Sequence, residues 1–181
     1  MSILLRSATI QDVPFVAWTI VTAVGISQAD EALLKQVATI CSREDVLYSW
    51  INCIIAEFNQ RPAGCLCCYD GKRYQEMRRI TFPIIAQHTG KDFSEMDLET
   101  VPGEYYLDSM AVLPEYRHRG VATALLNEGI RQAAELGINR ASMIVSPENP
   151  AAQRLYESLG FRHKGDLSAF GEPYRKMIKE I

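Results

Sequence analysis

Two spacings of apolar residues alternate along this chain, and each change of spacing marks an element. ILLRSAT at residues 3–9 reads as a short first strand. Gln11-Asp12-Val13-Pro14 then opens a helix whose apolar residues Phe15, Val16, Ile20 and Val24 recur at helical spacing, ending near Gly25. A second helix starts around Asp30 and carries Leu33, Leu34, Val37 and Ile40. INCIIAEF and AGCLCCYD, joined through Asn59-Gln60-Arg61-Pro62, predict a hairpin. Residues 72–86 look helical in their first half, with Pro83 limiting the helix. Residues 87–104 are polar and acidic and read as a connecting loop.

From Tyr105 the pattern sharpens. YYLDSMAVL is a strand, ended by Leu113-Pro114-Glu115. Residues 120–136 predict a helix with Val121, Leu125 and Ala133 on one face and Gly137 as its C-terminal cap. RASMIVS is another strand. Asn149-Pro150 has the chemistry of an N-cap followed by proline at the first helical position, and Gly160 ends that helix. FRHKGD and PYRKMIKEI supply two closing strands. Helices interleaved with strands, without an internal repeat, predict an α/β (α+β) domain with a mixed sheet.

Composition narrows the function classes. A chain of 181 residues, 48% hydrophobic, suits one domain with a full core. A net charge of −3 argues against a nucleic-acid partner held by general electrostatics, while leaving room for a local basic patch that binds a compact anion. No apolar run approaches the roughly 20 residues that span a bilayer, and MSILLRSATIQD lacks the pattern of a signal peptide. The expectation is a soluble, cytoplasmic protein with no membrane partner. Cys65, Cys67 and Cys68 lie in a predicted strand, with Cys53 and Cys41 upstream, and face no second cluster at zinc-site spacing. They read as small buried hydrophobes, and no metal site is expected.

The stretch with chemistry is PEYRHRGVATALL, residues 114–126. It crowds Arg117, His118 and Arg119 against Gly120 where a helix begins, although a helix N-terminus already carries partial positive charge. An anion is the natural partner. Gly120 lets a ligand approach the backbone, Val121 and the small Ala122 follow in the first turn, and Thr123 adds a hydroxyl. A basic surface turn is the plainer reading of the same residues. The stretch is neither a Walker loop nor a G-x-G-x-x-G fingerprint.

Arg117-x-x-Gly120-x-Ala122 resembles the Q/R-x-x-G-x-G/A signature of the GCN5-related N-acetyltransferases, the GNAT superfamily. The resemblance extends to LDSMAVLPEYR before the loop and to Asn149-Pro150-Ala151-Ala152 through Leu155-Tyr156-Glu157-Ser158-Leu159-Gly160-Phe161 after it, covering about residues 105–163. It implies a mostly antiparallel central sheet flanked by helices, with a splayed pair of cofactor-binding strands. It also implies a single domain over 1–181 with an insertion at about 70–104. The implied co-substrate is acetyl-CoA, its pyrophosphate held by the amides of residues 117–122 and its pantetheine arm by Met110, Ala111 and Val112.

The resemblance places Asn149 beside the cofactor arm and makes Tyr156 the acid that protonates the departing thiolate; both residues also have plain readings, as a cap and as a packing side chain. For the base, Glu104, Tyr106 and Asp108 share one face of a regular strand, and an unpaired charge at Asp108 within apolar surroundings would be costly. Asp108 and then Glu104 are the candidates, structural pairing being the alternative. The insertion reads either as a solvated helix and loop or as a wall over the acceptor site, whose acids favour a cationic amine. The implied reaction is direct acetyl transfer to a primary amine, on a small molecule rather than a protein. A non-catalytic acyl-CoA sensor is the alternative. The acceptor's identity and the oligomeric state, a homodimer included, stay open.

Overall fold

The computed structural model describes residues 2–26 and 29–181. Its strands are β1 (Ile3–Ser7), β2 (Cys53–Phe58), β3 (Arg61–Asp70), β4 (Tyr105–Val112), β5 (Arg140–Val145), β6 (Arg162–Ala169) and β7 (Glu172–Glu180). Its α-helices are α1 (Val13–Ala23), α2 (Glu31–Cys41), α3 (Tyr74–Thr89), α4 (Val121–Glu135) and α5 (Pro150–Ser158). The strands form a mixed, mostly antiparallel sheet in the order β1-β2-β3-β4-β5-β7-β6. The chain divides into two compact units, Met1–Cys68 with Ser109–Gly129 and Tyr69–Asp108 with Ile130–Ile181.

The first unit is built on the β1-β2-β3 meander. Asn59 and Gln60 both take left-handed φ, 52° and 62°, so the hairpin turn is tighter than the four residues expected from sequence. Pro62 is therefore inside β3, paired with Glu57 where the register shifts, a bulge being where a strand tolerates proline. Asp30 caps α2 by accepting from the Leu33 amide at 2.7 Å. Arg6 forks onto both oxygens of Asp12 at 2.7 and 2.9 Å, and its Nε reaches Glu57 at 2.7 Å. Ile55, Ala63, Cys65, Leu66 and Cys67 are fully buried, as the hydrophobe reading of the cysteines requires.

In the second unit β4 pairs parallel to β5 through Tyr105↔Ala141 and Tyr106↔Ser142, and β5, β7 and β6 continue antiparallel. Helix α3 corrects the sequence reading: it runs through Pro83 to Thr89 and is capped by Gly90 at φ 69°. Pro83 is exposed, as is Arg79, whose carbonyl loses its helical donor and is left to water. Met77, Arg78, Thr81 and Phe82 are buried on the other side and hold the helix in place.

The segment that follows is a second correction. Arg79, Asp92 and Glu95 are exposed as a solvated loop demands, but Arg78, Glu99 and Thr100 are buried. Asp97 and Ser168 exchange two hydrogen bonds, Asp97 N–H to the Ser168 carbonyl at 3.1 Å and Ser168 N–H to Asp97 Oδ2 at 2.7 Å. Phe93 stacks edge-on against Phe82 and Phe170. These contacts fold the acidic loop inward onto the β6–β7 hairpin.

Candidate active site

In the first unit the end of β4 leads into a short 3-10 turn at Pro114–Tyr116 and then into α4. Gly64 lets α4 pack close against β3 and β4. A side chain there would meet Val121 Cγ1 at 2.9 Å, the Ala111 carbonyl at 3.1 Å and Leu125 at 3.2 Å, so glycine permits the close approach of β3, β4 and α4. Val121, Leu125 and Leu126 are buried beneath the helix, which leaves Ala122 and Thr123 at its more open start.

His118 and Gly120 adopt left-handed φ, 59° and 81°, in the turn that delivers the chain into the helix. Alternation of this kind lets successive N–H groups converge on an anion. Ala124 N–H bonds the Gly120 carbonyl at 2.9 Å, so the amides of Val121, Ala122 and Thr123 belong to the first turn, where helical amides lack an intrahelical acceptor. The space above Gly120 is open: an added Cβ would meet nothing within 4 Å. Arg117 Nε donates to the Val112 carbonyl at 3.2 Å, and the Arg119 guanidinium lies 5.5 Å from the centre of the Phe58 ring. Both arginines are thus tethered while remaining exposed. Donors, positive charge and open space fit a pyrophosphate, the group expected from sequence.

The second unit holds the other candidates. Asn149 caps α5, its Oδ1 accepting from Ala152 N–H at 3.1 Å. Tyr156 packs edge-on against Phe161 and is partly exposed, and burial of the phenol raises its pKa. Its hydroxyl makes no hydrogen bond among the described residues. Such a phenol keeps its proton at neutral pH and can donate it.

Three carboxylates of this unit have different surroundings. Glu104 is buried just ahead of β4, and its Oε2 accepts from Lys176 Nζ at 2.8 Å and from Ser142 and Thr100 hydroxyls at 2.9 Å each. Burial pushes its pKa up, yet these bonds outweigh burial and hold it below the usual range. Asp108 is partly exposed and accepts from the Tyr69 hydroxyl at 2.5 Å. Glu99 is buried and takes two phenols, Tyr74 at 3.0 Å and Tyr106 at 2.8 Å.

Sequence reasoning counts Glu99 only among the acids of the 70–104 insertion and misses its burial, because that burial depends on the docking of residues 90–98. Gly64 carried a readable signal, a glycine inside an apolar strand. Among the described residues no group of three His, Cys, Asp or Glu side chains could hold a metal ion, and no helix is long and apolar enough to cross a membrane.

Comparison with known proteins places the chain in a family. The sequence matches the acetyltransferase (GNAT) family over residues 27–161. It is 31% identical over 90 residues to the spermine/spermidine N(1)-acetyltransferase of Bacillus subtilis strain 168, covering 49% of this chain and 58% of that protein. An N-acetyltransferase structure from Staphylococcus aureus Mu50 superposes with a TM-score of 0.78 at 21% identity, over 97% of this chain and 99% of that one. The structure of AAC(6')-Ib in complex with Parmomycin and acetyl-CoA superposes with a TM-score of 0.67 at 20% identity, over 99% and 94%. At those identities the superpositions show the fold, whereas the family match covers most of the sequence. The chain belongs to the GNAT acetyltransferase family.

Proposed function

We propose that this protein is an acetyl-CoA-dependent N-acetyltransferase that transfers acetyl to a primary amine of a small molecule by direct attack. The observation that carries the proposal is the open first turn of α4, with its left-handed entry, first-turn amides and two tethered arginines. Met110, Ala111 and Val112 take the pantetheine arm, as an added strand pairs with an exposed edge. Residues 117–123 take the pyrophosphate, and Asn149 is carried over from the family pattern as a further cofactor contact. The activity belongs to the whole of 1–181, acting as one domain with the 70–104 segment as its insertion. Five buried thiols suit a reducing, cytoplasmic setting.

Acetyl-CoA supplies an activated thioester. An amine with a pKa of about 10.4 reaches the site as an ammonium and must lose its proton first. Asp108 is the base, since it is partly exposed and bonded by the neutral phenol of Tyr69, whereas Glu104 is buried and ion-paired with Lys176. Backbone donors steady the oxyanion and Tyr156 protonates the leaving thiolate. Two relatives bear on the acceptor: one is named for spermine and spermidine, and another is an aminoglycoside N(6')-acetyltransferase from Salmonella typhimurium, 36% identical over 56 residues, 31% of this chain and 39% of that one. A polyamine or another compact polycation therefore heads the panel.

The test measures CoA thiol release over polyamines, aminoglycosides, amino acids and a peptide N-terminus, beside calorimetry with acetyl-CoA and ATP. Release with a small amine and selective acetyl-CoA binding are expected. Acetyl-CoA binding without release for any amine would reassign the chain as an acyl-CoA sensor, and preference for ATP would remove the cofactor assignment.

A further inference from the structure

Glu99 has no part in the roles above, yet it is held with care. Two phenols clamp it, Tyr74 from α3 and Tyr106 from β4. Their rings meet edge to face at 6.4 Å, and Tyr106 meets Tyr69 in the same way at 5.9 Å. Tyr69 in turn donates to Asp108. Edge-to-face tyrosines thus link a buried carboxylate to the partly exposed one proposed to face the acceptor.

We infer that Glu99 and Asp108 form a coupled carboxylate pair, in which Glu99 is a positioning residue that sets how firmly Asp108 holds the acceptor's proton. The inference rests on Asp108 as the base. The groups facing Glu99 are Tyr74 and Arg78 from α3, Tyr106 and Asp108 from β4, and Tyr174 from β7; Tyr69 from β3 faces Asp108. Arg78 is the cation among them, and it spends its Nη2 on the carbonyls of Phe93, Ser94 and Met96 at 3.2, 2.8 and 2.7 Å. Among the described residues Glu99 has no ion pair, in contrast to Glu104 with Lys176.

Burial, and then the charge of Asp108, push Glu99 up to about 7, against the phenols and Arg78, which lower it. Protons leave such a pair in two steps that belong to the pair as a whole. Above the second step both carboxylates are ionised. The acceptor's ammonium then gives its proton to an Asp108 oxygen, its nitrogen keeps the electron pair for attack, and the charge of Glu99 strengthens Asp108 as the receiver.

The experiment has two arms. In the first, kcat/KM against pH is measured for wild type, Glu99→Gln and Tyr106→Phe. The wild-type acidic limb should lie near neutrality, Glu99→Gln should move it down by roughly one unit or more, and Tyr106→Phe, which removes a stabilising hydrogen bond from the ionised form, should move it up. Tyr106→Phe keeps the test decisive if Glu99→Gln does not fold, and limbs that stay in place while stability falls would make Glu99 merely structural. In the second arm, carboxyl-carbon NMR follows the Glu99 titration in wild type and Asp108→Asn. The midpoint should fall when the Asp108 charge is removed, and an unmoved midpoint overturns the coupling. A fallen midpoint in an Asp108→Asn protein that keeps full turnover overturns Asp108 as the base, and Glu99's catalytic part with it.

Discussion

Tyr156 is where a single atom separates two readings of one residue. Its ring packs on Phe161 and its hydroxyl is unbonded among the described residues, so removing the oxygen costs no visible hydrogen bond. Tyr156→Phe should therefore fold with near wild-type stability and bind acetyl-CoA normally. If the phenol protonates the thiolate, turnover should fall on the order of 10²-fold or more. The raised pKa of the phenol suits this role, because the proton is present throughout the neutral range. An acyl donor with a more acidic thiol should restore the rate, since its thiolate departs with less help. Acceptors of lower pKa should not. Full activity with acetyl-CoA would leave Tyr156 as a packing residue.

At the scale of elements, the start of α4 joins sequence to site. Gly120→Glu adds bulk and negative charge to an open left-handed position, and acetyl-CoA affinity measured by calorimetry should be lost in a folded protein. Raised salt should weaken wild-type binding, part of the attraction being ionic. Gly64→Ala tests the helix's seat rather than its tip: with Val121 and the Ala111 carbonyl so near, overpacking should cost about 1–3 kcal/mol in denaturant unfolding and weaken acetyl-CoA binding as well. Unchanged affinity in that variant would mean that the cradle tolerates a displaced helix.

The caps at Asp30 and Asn149 and the loop at 117–120 were legible because each is a local pattern whose partners lie within three or four residues. Pro83 misled because its effect depends on which side of α3 faces water, and that is decided by distant packing. Glu99 was hidden for the same reason: Asp97 finds Ser168 and Phe93 finds Phe170 across more than 70 residues of chain. The sequence already ranks Asp108 ahead of Glu104, but the pairing of Glu104 with Lys176 is one that no spacing along the strand reveals.

Over the whole molecule, buried carboxylates give stability a pH profile that can be worked out in sign. The Arg6 hydrogen bond is the largest influence on Asp12, which is lowered to about 2 despite an opposing contribution from burial. An acid depressed in the folded state stabilises above its unfolded value of about 3.9, and that contribution is lost as pH falls toward the folded value. Glu104, depressed by Lys176, Ser142 and Thr100 against its burial, acts in the same direction. Glu99 acts in the other. Its folded value near 7 lies above the unfolded value of about 4.3, so the native state holds the extra proton between them and stability falls as pH rises through that window. The folded chain should thus be most stable at about pH 4, weakening below it through Asp12 and Glu104 and from about pH 4.3 to 7 through Glu99. Urea unfolding at half-unit steps from pH 3 to 8 checks both slopes. Asp12→Asn should flatten the acidic slope, and Glu99→Gln should flatten the decline toward neutrality while leaving the acidic slope in place. A Glu99→Gln profile parallel to wild type from pH 5 to 7 would show that Glu99 carries no raised proton affinity in the folded chain.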